Sequence, residues 1–424
     1  MMTRMKRWIW GLAMFLCLWL SAAAAEETVS FQAILPARNG QAEVLSVYLE
    51  TEQSQAHWLF LPSFADLDNL CIHSGEDGLM WPWGEAFQSG QAVNLPQQFA
   101  LLEDGVYSAE LLRGDENIRL CVLQSANLRT LFFMSDDPVN HGRAWISDCE
   151  RHENETTGSM ALVDVNGVVD HAAKVSNWRG RGNTTWDYDK KPYQMKLEYK
   201  TDLLKTGIPE ESSRTWVLLS NAMDLPFLRD KVALDLGLEL GMTETSRSEY
   251  IDLYYDGEYL GIFLLCEKVE VQNGRVEISD YDKLIESWNA AAGQMDLDAL
   301  SVGEGVNAYG LPYTYTEGLI AAEDPSVGAY MVELENSFTL TDQCYFSLGD
   351  GGKVAMKNPE YASSAMVAYV SEKLETARRA LLNHGTDPET GTRAVDVLDV
   401  DAFARIALIN EFSYNRDGFS ASSS

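Results

Sequence analysis

The residues best able to handle a charged substrate lie at positions 179–197, Arg179-Gly-Arg-Gly-Asn-Thr-Thr-Trp-Asp-Tyr-Asp-Lys-Lys-Pro-Tyr-Gln-Met-Lys-Leu. Five cations, Arg179, Arg181, Lys190, Lys191 and Lys196, fall within 18 residues of a chain whose net charge is −32. Gly180 and Gly182 would let backbone amides approach an anion closely, and the cations would neutralise a polyphosphate. Alternation puts Tyr193, Met195 and Leu197 on one face of a strand and Gln194 and Lys196 on the other, so Lys196 is expected to point into a cleft. The pattern is not a Walker A loop, which needs Gly-Lys-Ser/Thr ahead of a helix. A Gly/Arg hairpin with a solvated basic face would look the same, and spacing alone leaves both readings open.

Turn and cap signals outline the elements that must position this cluster. Asn166-Gly167 between apolar residues is a strong hairpin signal, and Asp256-Gly257 marks a second one. Asp164-x-Asn166-Gly167 resembles the start of a calcium loop but lacks the later acidic ligands, so it is read as a turn. Asp224-Leu-Pro-Phe supplies an N-cap and an early proline for a helix expected to run to Leu240 and end at Gly241. Two further helices are expected over 363–382 and 400–414. Residues 286–324, rich in Gly, Ala and acidic side chains, are expected to be an insertion. Strands followed by helices define an α+β class, with a sheet-rich lobe ahead of a helical one. Ahead of it, residues 28–126 show short alternating runs separated by turns, the pattern of an all-β sandwich. Its His57, Trp81 and Trp83 are assigned to packing, with a binding role for the sandwich left open.

Met1 to Arg7 carries three cations, an apolar run follows to Leu20, and Ser21-Ala-Ala-Ala-Ala precedes Glu26. That order is a cleavable secretory signal, since the apolar run is too short to span a bilayer. Its removal near Ala25 would leave 29 basic against 64 acidic residues. Such a charge repels nucleic acid and anionic lipid, and favours divalent cations or a basic protein partner. Of six cysteines, Cys71, Cys121, Cys149, Cys266 and Cys344 remain without metal-ligand spacing. Free thiols are the default, with one bridge such as Cys71 to Cys121 left open. There is no Gly-x-Ser-x-Gly or His-Glu-x-x-His, which argues against a hydrolase.

Six blocks in order carry a resemblance. They are Arg179-Gly-Arg-Gly-Asn-Thr-Thr-Trp with Lys190-Lys-Pro-Tyr; Trp216-Val-Leu-Leu-Ser-Asn-Ala-x-Asp with Leu228-Arg-Asp; Gly257-Glu-Tyr-Leu-Gly-Ile-Phe-Leu-Leu-Cys-Glu-Lys-Val-Glu; Gly328-Ala-Tyr-Met-Val-Glu-Leu-Glu; Met356-Lys-Asn-Pro-Glu; and Ile409-Asn-Glu-Phe-Ser-Tyr-Asn-Arg-Asp-Gly. From about residue 130 onward the chain resembles the spore-coat-protein-H (CotH) family of secreted atypical kinases. The resemblance implies a kinase-like bilobal domain over 131–424, preceded by an Ig-like β domain over 26–130 and a signal peptide over 1–25. It implies transfer of the ATP γ-phosphate, with Mg or Mn, to Ser or Thr of extracytoplasmic or spore-coat proteins.

In that family reading Arg181, Asn183 and Lys191 or Lys196 hold the nucleotide phosphates, Glu267 orients one of the lysines, and Asp417 is the catalytic carboxylate. Asn415 and Asp417 would serve equally as caps of a helix end. The family continues into an acidic metal-binding motif, whereas this sequence stops at Ser424 and places Ser422 five positions after Asp417. The metal site is therefore expected beyond Ser424, and the chain as written is expected to be shortened, inactive and short of helical core. The competing reading is a non-catalytic surface or adhesion protein that keeps the fold for binding.

Overall fold

The computed structural model describes residues 31–36, 43–46, 48–49, 56–335, 340 and 342–415. The signal segment over 1–25 and Asp417 lie outside the described residues. The fold is mixed α+β, with many strands and few helices. It divides into two compact units, the first of residues 1–134, 161–172 and 252–261, the second of the remainder.

The first unit begins with β1 (Phe31–Ile34), β2 (Val44–Ser46), β3 (Tyr48–Leu49), β4 (Ala56–Leu61), β5 (Leu70–Ser74) and β6 (Ala92–Val93). It continues with β7 (Ala100–Leu101), β8 (Tyr107–Arg113) and β9 (Glu116–Gln124). They form two sheets, β2-β1-β5-β6 and β3-β4-β9-β8-β7, in which β4 and β9 run parallel. Alternate residues such as Phe31, Leu45, Leu59, Ile72, Leu111 and Leu120 fill one core between them. His57 meets Phe31 edge-on at 5.1 Å, and Trp83 stacks on the buried Trp81 at 4.8 Å. Cys71 lies on β5 and Cys121 on β9, in different sheets. All five described cysteines are free thiols, which closes the Cys71 to Cys121 option.

A closed barrel follows, built from β10 (Arg129–Ser135), β11 (Glu155–Val163), β12 (Val169–Gly180), β13 (Tyr193–Thr201), β14 (Ser213–Leu219), β15 (Ser248–Tyr255) and β16 (Glu258–Glu267). Its strand order is β10-β11-β12-β13-β14-β16-β15. Both hairpin signals fall on its turns. The Asp164 carboxylate accepts from the amides of Asn166 at 2.9 Å and Val168 at 2.7 Å, so it closes the turn. At the other turn, Asp256 and Gly257 hold φ of 49° and 83°, the left-handed pair that two-residue hairpins require.

The helix signalled by Asp224 starts later than expected, at Arg229, and ends at Glu239. Phe227 sits at φ 58°, which no helix admits, so residues 225–228 remain a turn. Asp224 still serves the helix start, because its carboxylate accepts from the Arg229 amide at 2.8 Å. The helix Ser364–Leu382 opens on Ser363, whose hydroxyl caps the Met366 amide, and Val400–Ser413 closes on the left-handed Tyr414.

Residues 286–324 carry regular elements. They complete a helix, Tyr281–Ala291, and form the hairpin β17 (Val302–Val306) and β18 (Pro312–Thr316). With β19 (Met331–Glu335), β20 (Tyr345–Ser347) and β21 (Lys353–Asn358) they make the sheet β17-β18-β20-β21-β19. Two of the segment's glycines are strand positions. Gly303 and Gly305 face Tyr315 and Tyr313 across the ladder, and each tyrosine ring occupies the space a Cβ would need. Tyr281, Ile285, Tyr313, Phe346, Met356 and Val367 share the core of this sheet and its helices.

Candidate functional site

The strand β13 alternates as its sequence demands. Tyr193, Met195 and Leu197 are buried and Lys196 is exposed. On the buried face Trp178 packs on Tyr193 at 5.3 Å, and Tyr193 on Phe263 at 6.1 Å. On the opposite face the register aligns side chains across neighbouring strands. Asn177 pairs with Lys196 and Lys196 with Thr215, while one rung along Arg179 pairs with Gln194, Gln194 with Val217 and Val217 with Cys266. Because Trp216 faces Glu267, the next residue, Lys268, falls beside Thr215 and shares the face of Lys196. Val217, Leu264 and Cys266 on this face are covered by Leu234 of the Arg229–Glu239 helix.

Of the cations here Arg179 pairs with Glu155 at 3.6 Å. Arg181, Lys196 and Lys268 form no ion pair among the described residues. Burial pushes the Lys268 ammonium below its ordinary value, and Arg179, Arg181 and Lys196 push it further, against the pull of Glu270. Burial also lowers the Arg181 guanidinium, and Asp230 at the start of the helix offsets this. The Asp230 carboxyl is raised by desolvation and by Asp224, although its side chain is open to solvent, as expected of a group in a concave surface. This region can neutralise a multivalent anion, and ordinary phosphates fit such a set of donors.

Asn183 is exposed in the loop after β12. Lys191 turns back on that loop, with its ammonium donating to the Trp186 carbonyl at 2.5 Å and lying 5.0 Å over the Trp186 ring. Lys190 donates to the Ile262 carbonyl and sits 4.5 Å over Phe227 and 4.6 Å over Phe263, and burial brings it down to about 8. Gly180 serves packing rather than anion approach, because a Cβ there would strike the Trp186 ring. Gly182, at φ 83°, supplies the turn into the loop.

Glu267 points to the buried side, 4% exposed, and its partner there is Arg247, whose amide donates to the carboxylate at 2.8 Å. No lysine contacts it. Burial raises its carboxyl, with Arg247 and Arg275 opposing. Arg247 also pairs with the buried Glu211 at 2.8 Å. Arg275, equally buried, donates from one Nη1 to the carbonyls of Thr215 at 3.1 Å and Lys268 at 3.0 Å and to Glu270 at 3.0 Å, with its guanidinium 5.0 Å over Trp216.

Lys268, Arg275 and Asp230 were missed from the sequence. Lys268 had a signal, since the period of two that put Lys196 outward does the same one residue after Glu267. Among the described residues no group of three or more His, Cys, Asp and Glu is placed to hold a metal ion. A separate groove of about 470 Å³ on the five-stranded sheet, lined by Glu304, Tyr313, Tyr345 and Lys353 among others, shares none of the cationic residues.

The CotH kinase protein family matches residues 178–424, more than half of the chain, and the chain belongs to that family. The domain is thus of a kinase-like class. Comparison with curated proteins finds no match.

Proposed function

We propose that this protein is a secreted atypical Ser/Thr kinase that transfers the ATP γ-phosphate to extracytoplasmic or spore-coat-type proteins. The observation that carries this reading is the set of unpaired cations Arg181, Lys196 and Lys268 gathered in a chain of net charge −32, within the family region. Asp230 and Glu270 offset part of the mutual repulsion of these cations without forming an ion pair with them, and a bound anion would relieve the rest. The kinase-like two-lobed arrangement, the Ig-like nature of the N-terminal unit and export through a signal peptide belong to the same reading.

ATP supplies the transferable phosphoryl group. Arg181, Asn183 and Lys196 hold and neutralise its phosphates, and the Asp417 carboxylate takes the proton of the acceptor hydroxyl. No step is assigned to Mg or Mn, because no described cluster is placed to hold either. A protein acceptor with basic surroundings suits the charge of this chain.

The test is incubation of the protein with Mg-ATP or Mn-ATP and casein, followed by intact-mass measurement beside an Asp417→Ala control. Phosphate added by the wild type and lost in the variant supports the reading. Absence of phosphate in both, with casein also unmodified, moves the assignment to a non-catalytic binding protein that keeps the fold.

A further inference from the structure

The family reading offers Lys191 or Lys196 as the lysine at the phosphates and leaves Lys268 without a role. The geometry separates the three. Lys191 is spent on the Trp186 carbonyl and ring, and its ammonium belongs to its own loop. Lys196 is exposed, between Asn177 and Thr215 in the row. Lys268 is half-buried one residue past the Trp216–Glu267 rung, with no ion pair among the described residues and with Glu270, Arg179, Arg181 and Lys196 in its field.

We propose that Lys268 is the principal phosphate-contacting lysine of this site, flanked by Lys196 and Arg181, and that Arg275 is the positioning residue that seats it from behind. This rests on the kinase reading for the identity of the ligand, a nucleoside triphosphate, and on the barrel geometry for the residue.

Lys268 follows the last residue of β16, where the ladder to β14 has ended, so regular strand bonding no longer fixes its backbone. Arg275 replaces that bonding. Its guanidinium joins the Thr215 and Lys268 carbonyls, which lie on the two neighbouring chains, and its stacking on Trp216 fixes its own plane. The same guanidinium is held to Glu270, and Glu270 accepts from the Ser213 hydroxyl at 2.7 Å. The carbonyl contact ties the Lys268 backbone to Thr215, the rung partner of Lys196, while Glu270 acts on the Lys268 ammonium without an ion pair. A triphosphate placed there gains charge-assisted bonds from both lysines and from Arg181, and the mutual repulsion of the cations is relieved at the same time.

The experiment measures the affinity of the full chain for three probes, ATP, inorganic tripolyphosphate and adenosine, by titration calorimetry. Lys268→Met is expected to weaken ATP and tripolyphosphate binding by about tenfold or more and adenosine binding by less than about twofold. Lys283→Met, an exposed lysine on the Tyr281–Ala291 helix, controls for the change in net charge. Arg275→Met is expected to lower the ratio of ATP to adenosine affinity, and Arg275→Lys to restore part of it, a ratio that general loosening of the fold would leave unchanged. Unaltered ATP affinity in Lys268→Met overturns the inference, whether or not the wild type transfers phosphate. Wild-type binding of tripolyphosphate without ATP, lost in Lys268→Met, supports the site and removes the kinase reading. Binding of none of the probes by the wild type overturns both.

Discussion

Two groups of charges stand on opposite sides of the same strands and are treated in opposite ways. On the buried side Arg247 bridges Glu211 and Glu267, and Arg275 is tied to Glu270 and two carbonyls. On the other side Arg181, Lys196 and Lys268 crowd one another with no ion pair among the described residues. The first group pairs its charges with one another and holds strand ends, although Arg275 Nε and Nη2, Glu211 Oε2 and Glu267 Oε1 stay buried without a hydrogen bond among the described residues. The second leaves its charge open, which is what a ligand site needs and a structural site avoids.

The largest expected effect breaks the paired group. Arg247→Ala leaves the Glu211 and Glu267 carboxylates buried without their guanidinium, at a cost of about 3–5 kcal/mol. A thermal melt should show a loss of roughly 10 °C, and an unchanged Tm would remove the distinction between the two groups. Next comes the loop that carries the open group. Gly180→Ala drives a methyl into the Trp186 ring and is expected to cost about 1–3 kcal/mol, read from urea denaturation. A neutral result would mean that Trp186 yields freely and the loop is not fixed by packing.

A smaller effect tests Lys190, which lies near the open group but is not part of it. Burial brings its ammonium from the ordinary 10.5 to about 8. Between those values the unfolded chain keeps a proton that the folded chain gives up, so folding stability rises with pH across that window. Lys190→Met should remove this rise. Identical pH dependence of the two proteins between pH 8 and 10.5 would show that the lysine is not desolvated. The smallest effect has the opposite sign to the first. Without ligand and at low salt, Lys268→Met is expected to raise the Tm by about 1–2 °C, because it removes one of several like charges. A clear fall in Tm would place Lys268 among the structural charges.

Local signals carried much of the fold and rather less of the site. Asp256-Gly257 specifies its turn because few residue pairs tolerate a left-handed backbone, Asn166-Gly167 does so through the left-handed Gly167 alone, and Ser363 fixes a helix start by one hydroxyl. The Asp224 signal was right in kind and displaced in place. The aspartate does cap, but across a turn held by the left-handed Phe227, whose conformation is set by its neighbours rather than by its own preference. The glycines at 303 and 305 carried no strand signal in the sequence, since their fit depends on tyrosines in the facing strand, and only the register reveals that. In the site, Lys196 was placed outward by alternation alone. Lys191 and Glu267 were assigned to the site by the family resemblance, yet their partners, the Trp186 carbonyl and Arg247, are chosen by loop closure and by strand pairing. Asp417 lies outside the described residues, so its role rests on the family resemblance.

The first compact unit is not one stretch of chain. It takes residues 252–261, including Tyr254, whose hydroxyl donates to the Phe60 carbonyl, and Gly257, whose carbonyl accepts from Ser46. During synthesis the N-terminal strands therefore wait for a hairpin made well after residue 134 before their core can close. At about 5–20 residues per second the interval is on the order of 10 s. Over that time an unfinished apolar surface stays open, and any chaperone or export factor that holds the chain unfolded finds its binding interval written into the order of the segments.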